Sequence, residues 1–103
     1  MEDNEKTYRE KWLQIITHFG VRAQTKKLSE EAYELEEALN DAKGYPVLPE
    51  MKEHIAEEIA DVAVLINQFI EYFNLDGHLI DDMIYDKTDR TLARIESGYY
   101  DKK

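Results

Sequence analysis

The chain has 103 residues with 23 acidic and 13 basic side chains, and its formal net charge of -10 repels nucleic acids and anionic membrane surfaces. The absence of cysteine excludes disulfides, thiolate nucleophiles and thiolate zinc sites. No apolar run is long enough to span a membrane and the first residues lack the apolar core of a signal peptide, so we expect one soluble, cytoplasmic domain covering residues 1–103.

The first half of the chain predicts two helices. Glycine and proline are few and fall between long stretches of helical periodicity, which predicts an all-α fold with short loops. The first helix is expected from Glu5 to His18, ending before Gly20. The second is expected from Val21 or Thr25 to Lys43, with Gly44 as its C-terminal cap. Their predicted apolar stripes are Tyr8, Trp12, Ile15 and Phe19, and then Leu28, Ala32, Leu35 and Leu39.

The second half predicts two more helices. The third is expected to begin at Pro49, which suits a first helical turn, and the fourth to run from about His78 to Glu96. The third is the most apolar, so it should be covered on more than one side, by its own chain or by a second copy. We therefore expect a four-helix bundle-like fold that forms at least a dimer. The predicted stripe of the third helix is Ile55, Ile59, Val62, Ile66, Phe69 and Phe73.

Two pairs of acidic residues recur at helical spacing. Glu31 and Glu34 on the second helix, and Glu58 and Asp61 on the third, are each three residues apart, so each pair projects from one face. Glu31 and Glu58 border the predicted stripes. If the helices pack there, the carboxylates converge, and like charges about 4 Å apart cost about 4 kcal/mol per pair at an effective dielectric of 20. Such a cluster needs a hard divalent cation such as Mg²⁺ or Mn²⁺.

The same acidic residues have a plainer interpretation. Acids at helical spacing are common on solvated faces, and one such pair means little in a chain this acidic. Two pairs on consecutive helices, both bordering apolar stripes, favour a metal site more strongly. The alternative left open is an acidic helical module that binds a basic protein and carries a vestigial metal site.

The two pairs also carry a family resemblance. E-x-x-E at Glu31 and Glu34, then 23 residues, then E-x-x-D at Glu58 and Asp61, resembles the signature of the all-α nucleoside triphosphate pyrophosphohydrolases, specifically short MazG-like members. Residues 18–35, 57–66 and 87–100 resemble the family's segments, so most of the chain is covered. The resemblance implies an enzyme that hydrolyses an NTP or dNTP to the monophosphate and pyrophosphate, with Mg²⁺ as cofactor and Mn²⁺ as a substitute. It also implies a role in nucleotide-pool housecleaning and a MazG-type fold that forms a homodimer or homotetramer.

The resemblance also implies roles for particular residues. It implies that four acidic side chains bind the metal and act in catalysis, and that Glu30 or Glu31 orients or deprotonates the attacking water. It assigns the phosphates to Lys87 and Arg90, and less firmly to Arg94, although Asp89 stands where many members carry asparagine; a solvated basic face is an equal interpretation of these residues. The four acids are Glu31, Glu34, Glu58 and Asp61.

Other residues are assigned structural roles. For Lys26 and Lys27, a salt bridge to Glu30 or Glu31 is favoured over contact with a phosphate. The three histidines show no metal-ligand spacing and are expected at the surface or in caps. Aromatic residues at helical spacing are more often core than stacked on a base, and this applies to Trp12, Phe19 and Tyr33.

Overall fold

The computed structural model describes residues 5–44 and 46–101, which form four α-helices and one 3₁₀ turn, with no β-strand among them. The all-α prediction is confirmed. No described helix is both long and apolar enough to cross a membrane. The chain divides into two compact units, one ending at Phe73 and the other beginning at Asn74, and each is described by itself. The elements are α1 (Tyr8–Phe19), α2 (Val21–Asp41), α3 (Pro49–Tyr72), α4 (Gly77–Glu96) and the 3₁₀ turn Tyr99–Asp101.

A capping box fixes the start of α1. The Thr7 hydroxyl accepts a hydrogen bond from the Glu10 backbone N–H at 3.1 Å, and the Thr7 N–H donates to the Glu10 carboxylate at 2.7 Å. Together these bonds satisfy two N–H groups that a helix start leaves without partners. The helix therefore begins at Tyr8 rather than at the expected Glu5.

Gly20 joins α1 to α2 without a linker. Its N–H donates to the Ile16 carbonyl at 2.7 Å, and its φ of 91° lies in the region that L side chains rarely adopt. One residue therefore ends α1 and starts α2, as the sequence predicts. The far end of α2 is earlier than expected, because the Ala42 N–H closes the last turn on Ala38 and Gly44 lies beyond it.

The remaining helix starts agree with the sequence. Pro49 occupies the first turn of α3, where its missing N–H costs no hydrogen bond. Asp76 caps α4, since its carboxylate accepts hydrogen bonds from the N–H groups of His78 and Leu79 at 2.9 and 3.3 Å.

In the first unit, α2 packs on α3 and α1 packs on both, most extensively on α3. A hydrogen bond joins Gln24 to Gln68, whereas Glu34 meets Glu58, so residue numbers rise along α2 as they fall along α3. The two helices are antiparallel. Ile16 of α1 and Leu65 of α3 are fully buried, and burying a side chain of this size contributes about 1.5–3 kcal/mol.

The residues that meet between α2 and α3, called the seam below, repeat at spacings of three and four. This spacing is typical of helices packed nearly parallel or antiparallel along their length. Polar residues occupy several of its positions. The least exposed residues at this spacing are Val21, Gln24, Leu28, Glu31, Leu35 and Ala38 on α2 with its C-cap Ala42, and Met51, Ile55, Glu58, Val62, Leu65, Gln68 and Phe69 on α3.

The predicted apolar stripes are wrong in part. They follow the most hydrophobic residues, whereas the buried positions continue the register of Leu28 and Leu35 on α2 and of Ile55 and Val62 on α3. That register includes polar residues and leaves several large apolar ones facing outward. The predicted stripe residues that are exposed are Tyr8, Ile15, Phe19, Ala32, Leu39, Ile59, Ile66 and Phe73.

The second unit consists of α4 and the 3₁₀ turn that follows it. No residue of α4 is buried. The Arg94 guanidinium lies over the Tyr99 ring, 4.9 Å from its centroid, and this cation–π contact holds the turn against the end of the helix.

Candidate metal centre

Two glutamates occupy positions of the seam that normally hold apolar residues. Glu31 lies between Leu28 and Leu35, and Glu58 lies between Ile55 and Val62, at the three- and four-residue spacings of the seam. Glu58 is buried, with 8% of its surface exposed, and Glu31 is half-buried. We call Glu31 and Glu58 the glutamate layer. The sequence placed both residues beside the apolar stripes, and the structure places them within the seam.

Glu34 completes a cluster of three carboxylates. One oxygen from each of Glu31, Glu34 and Glu58 lies within 4.8 Å of the other two. Glu34 is exposed at the edge of the seam, so the cluster has a buried side and an open side. Oxygen ligands from carboxylates at this separation are a donor set that suits Mg²⁺, Mn²⁺ or Ca²⁺.

The glutamate layer contains polar atoms with no partner. Glu31 Oε2 and Glu58 Oε2 are both buried, and neither has a hydrogen bond within the described residues. A buried carboxylate oxygen without a donor or cation is costly, because its hydration has been lost without replacement. Such atoms call for an explanation, and a cation held between the carboxylates would provide one.

The positive groups beside the layer contact its other oxygens. Lys27 Nζ lies 3.4 Å from Glu31 Oε1, which confirms the predicted pairing for Lys27. His54 Nδ1 lies 3.9 Å from Glu58 Oε1, beyond hydrogen-bond distance. Lys27 and His54 are themselves more than half exposed, and ion pairs to such groups contribute little. The two Oε2 atoms therefore stay uncompensated.

The electrostatics of Glu34 agree with this geometry. The neighbouring Glu31 carboxylate, followed by partial loss of solvent and by Glu58, raises the pKa of Glu34 above its usual value, and Lys27 lowers it by less. A raised pKa means that the cluster resists a further negative charge. A bound cation would reverse that effect.

Asp61 lies apart from the three-carboxylate cluster. It is exposed, and together with Glu30 and Glu31 it lines a cavity of about 540 Å³ beside the seam. A second cavity, of about 720 Å³, is lined by Glu34, Glu58 and other acids of α2. Glu31 therefore belongs both to the cluster and to the first cavity. The structure brings together three of the four predicted metal ligands and places the fourth on the wall of the neighbouring cavity.

The predicted phosphate-binding residues lie in the second unit. Lys87 and Arg90 are exposed on α4, and Lys87 lines a shallow cavity with Thr88, Thr91 and Leu92. Their assignment to phosphate stays a prediction.

The sequence interpretation missed three residues near the centre. Gln24 and Gln68 form a buried hydrogen-bonded pair across the seam at 2.8 Å, and we call them the glutamine layer. His54 was assigned to the surface, which is correct for its exposure, but its ring faces Glu58. The spacing could have found the glutamines, since Gln24 precedes Glu31 by seven residues and Gln68 follows Asp61 by seven.

Comparisons of the chain with protein-family models, with curated proteins and with solved structures gave no match.

Proposed function

We propose that this protein is a Mg²⁺-dependent nucleoside triphosphate pyrophosphohydrolase, which converts an NTP or dNTP to the monophosphate and pyrophosphate. The observation that supports it is the meeting of Glu31, Glu34 and Glu58 from two helices, with the Oε2 atoms of the glutamate layer buried and unpartnered. The sequence resemblance to MazG-like enzymes supplies the reaction class.

The carboxylates fit a divalent metal. The cluster offers three oxygen donors, a net negative charge that Lys27 and His54 compensate weakly, and an exposed member, Glu34, that leaves the centre accessible. In this proposal Glu31, Glu34 and Glu58 hold the metal, and Asp61 joins them from the cavity wall. When bound, Mg²⁺ supplies positive charge for the phosphoryl oxygens and lowers the pKa of water, and Mn²⁺ is the expected substitute.

The protein's own groups then have defined tasks in the reaction. A carboxylate, Glu30 or Glu31, orients the attacking water and accepts its proton as the water oxygen bonds to the α-phosphorus. The bond from the α-phosphorus to the bridging oxygen breaks, and pyrophosphate leaves with that oxygen. Lys87 and Arg90 are the proposed ligands of the pyrophosphate, since ammonium and guanidinium groups match phosphate oxygens.

The finer features of the assembly belong to the same proposal. We propose a MazG-type four-helix arrangement that associates as a homodimer or homotetramer in the cytoplasm. The exposed apolar residues of α3 and its C-cap support association, because Ile59 and Ile66 of the helix and the C-cap Phe73 are each about half exposed within the chain.

A substrate panel tests the proposal. The purified protein is incubated with each of the common NTPs and dNTPs plus Mg²⁺, and the products are separated by ion-exchange chromatography. We expect equal amounts of monophosphate and pyrophosphate from at least one nucleotide, and none in EDTA. If no nucleotide is hydrolysed with Mg²⁺ or Mn²⁺, the proposal is wrong, and the acidic protein-binding module becomes the better account.

A further inference from the structure

The cavity beside the seam has the dimensions of a small-molecule site and two chemically different ends. Its volume of about 540 Å³ falls within the usual range for ligand pockets. Glu31 and Asp61 line one end, while Gln24, Gln68 and Phe19 line the other. We call it the glutamine cleft. The acidic end is shared with the proposed metal centre, and the remaining end has no role in the chemistry described above.

The glutamine layer presents one acceptor and one donor to the cleft. Gln24 Nε2 donates to Gln68 Oε1 at 2.8 Å, and this bond uses one polar atom of each amide. The other two, Gln24 Oε1 and Gln68 Nε2, have no hydrogen bond within the described residues, yet they are not among the fully buried atoms without a partner. Because both residues line the cleft, one acceptor and one donor remain there for a ligand.

We infer that the glutamine cleft binds the base of the nucleotide, with Gln24 and Gln68 hydrogen-bonded to its polar edge. Each common nucleobase carries a donor and an acceptor as neighbours on its pairing edge, which is the complement of what the two amides offer. Phe19 is 59% exposed and supplies an aromatic face on which a base can stack. This inference rests on the proposed function, since the acidic end would repel a triphosphate without bound cations.

The length of the cleft matches a nucleoside. Gln24 and Glu31 are seven residues apart on α2, as are Gln68 and Asp61 on α3, which corresponds to about 10 Å along each helix axis. A nucleoside has a comparable length from its 5′ oxygen to the far edge of its base. A triphosphate at the carboxylates would therefore bring its base to the glutamine layer.

The two amides also predict a broad base preference. If both terminal amide groups flip by 180°, Gln68 becomes the donor and Gln24 the acceptor of the hydrogen bond between them. The free donor and the free acceptor then exchange places. One arrangement suits the amino and ring-nitrogen edges of adenine and cytosine, and the other suits the keto and N–H edges of guanine and uracil. We expect affinities for the four bases to differ by less than about tenfold.

Binding of nucleotide analogues separates this role from a purely structural one. The probes are the α,β-imido derivatives of ATP, GTP, CTP and UTP with Mg²⁺, and the corresponding base-free ribose derivative. The readouts are the side-chain amide resonances of Gln24 and Gln68 and the Kd from calorimetry. The test variant is Gln24→Met/Gln68→Met, which keeps side-chain length, and the control is Gln14→Met, an exposed glutamine of α1 outside the cleft.

We expect both amide resonances to shift with the four base-bearing analogues and to stay in place with the base-free one. The double variant should bind the base-bearing analogues about tenfold more weakly with unchanged affinity for the base-free analogue, whereas Gln14→Met should match the wild type. If the two glutamines have only a structural role, their amide resonances should not shift on binding and the Kd values of the double variant should equal those of the wild type. That result, or no binding of any analogue, would overturn the inference. If nucleotides are hydrolysed but the amide resonances of Gln24 and Gln68 do not shift, the proposed function stands and the inference is wrong. If these resonances shift but no nucleotide is hydrolysed, base binding stands and the proposed function is wrong.

Discussion

The glutamate layer and the glutamine layer occupy equivalent positions of one seam and differ in how their polar atoms are satisfied. Gln24 and Gln68 are as buried as the core and bond to each other, and neither has a fully buried polar atom without a partner. Glu31 lies about two helical turns from Gln24, and Glu58 lies nearly three turns from Gln68; these two glutamates keep two buried oxygens without a partner. Neutral amides can satisfy one another across a seam, whereas two carboxylates need a third group between them. This difference supports the proposed metal centre at the glutamate layer.

The largest expected effect comes from neutralising one member of the glutamate layer. Glu58→Gln keeps the side-chain shape but removes a charged metal ligand, so we expect kcat/KM for the best nucleotide to fall about a thousandfold. The matched control is Glu37→Gln, an exposed acid of α2 that lines the cavity containing Glu34 but lies outside the cluster. It should retain nearly full activity. Equal losses in the two variants would mean that overall acidity, rather than the cluster, matters.

Replacing each layer by leucines compares their contributions to stability. In EDTA, Glu31→Leu/Glu58→Leu should raise the free energy of unfolding by about 1–4 kcal/mol, because it removes two buried, poorly compensated charges. Gln24→Leu/Gln68→Leu should change it by less than about 1 kcal/mol, because both members of a hydrogen-bonded pair are removed together. Urea unfolding monitored by circular dichroism measures both.

Mn²⁺ provides the control for these leucine variants. It should stabilise the wild type and the glutamine-layer variant, since a ligand bound to the folded state raises its stability. It should leave the glutamate-layer variant unchanged. A glutamate-layer variant that is less stable than the wild type in EDTA would show that the two carboxylates stabilise the fold without a cation.

The pH dependence of stability offers a smaller effect with a definite sign. The pKa of Glu34 is raised in the folded state from its usual 4.5, chiefly by Glu31. The folded protein therefore binds this proton more tightly than the unfolded chain, and the resulting stability is lost as pH rises from 4.5 through the raised value. In EDTA, wild-type stability should thus fall relative to Glu34→Gln over this pH range. Parallel curves for the two proteins would contradict the crowding of carboxylates at the cluster.

The smallest effect is expected at a glutamate that is already satisfied. Glu71 on α3 accepts hydrogen bonds from Arg9 Nε on both carboxylate oxygens, each at 3.1 Å. Arg9 is largely exposed, so Glu71→Gln should cost less than about 1 kcal/mol and leave stabilisation by Mn²⁺ unchanged. A loss of Mn²⁺ stabilisation in this variant would show that metal binding is not specific to the cluster.

The sequence predicts the helices well because their ends depend on local chemistry. Gly20 and Pro49 mark breaks that need no knowledge of the tertiary structure. The predicted start of α1 at Glu5 is too early. The T-x-x-E spacing of Thr7 and Glu10 indicates a capping box, which places the start at Tyr8.

The site was predicted only in part because hydrophobicity was used to choose the stripes. On α3 this choice favoured Ile59 and Ile66, which are exposed, over a register that contains Glu58 and Gln68. The spacing that placed Glu31 between Leu28 and Leu35 was sufficient to put it in the seam. Asp61, three residues after Glu58, was expected in the cluster, but the arrangement of α2 and α3 places it on the wall of the glutamine cleft. Such placement depends on how two helices pack, which spacing along one helix does not determine.

A crystal of the protein grown with Mn²⁺ and measured at the manganese absorption edge tests the central claim most directly. We predict one anomalous peak within coordination distance of carboxylate oxygens from Glu31, Glu34 and Glu58, with the Oε2 atoms of Glu31 and Glu58 turned towards it. Well-ordered carboxylates at these three positions with no anomalous density between them, at a Mn²⁺ concentration that supports hydrolysis, would contradict the account.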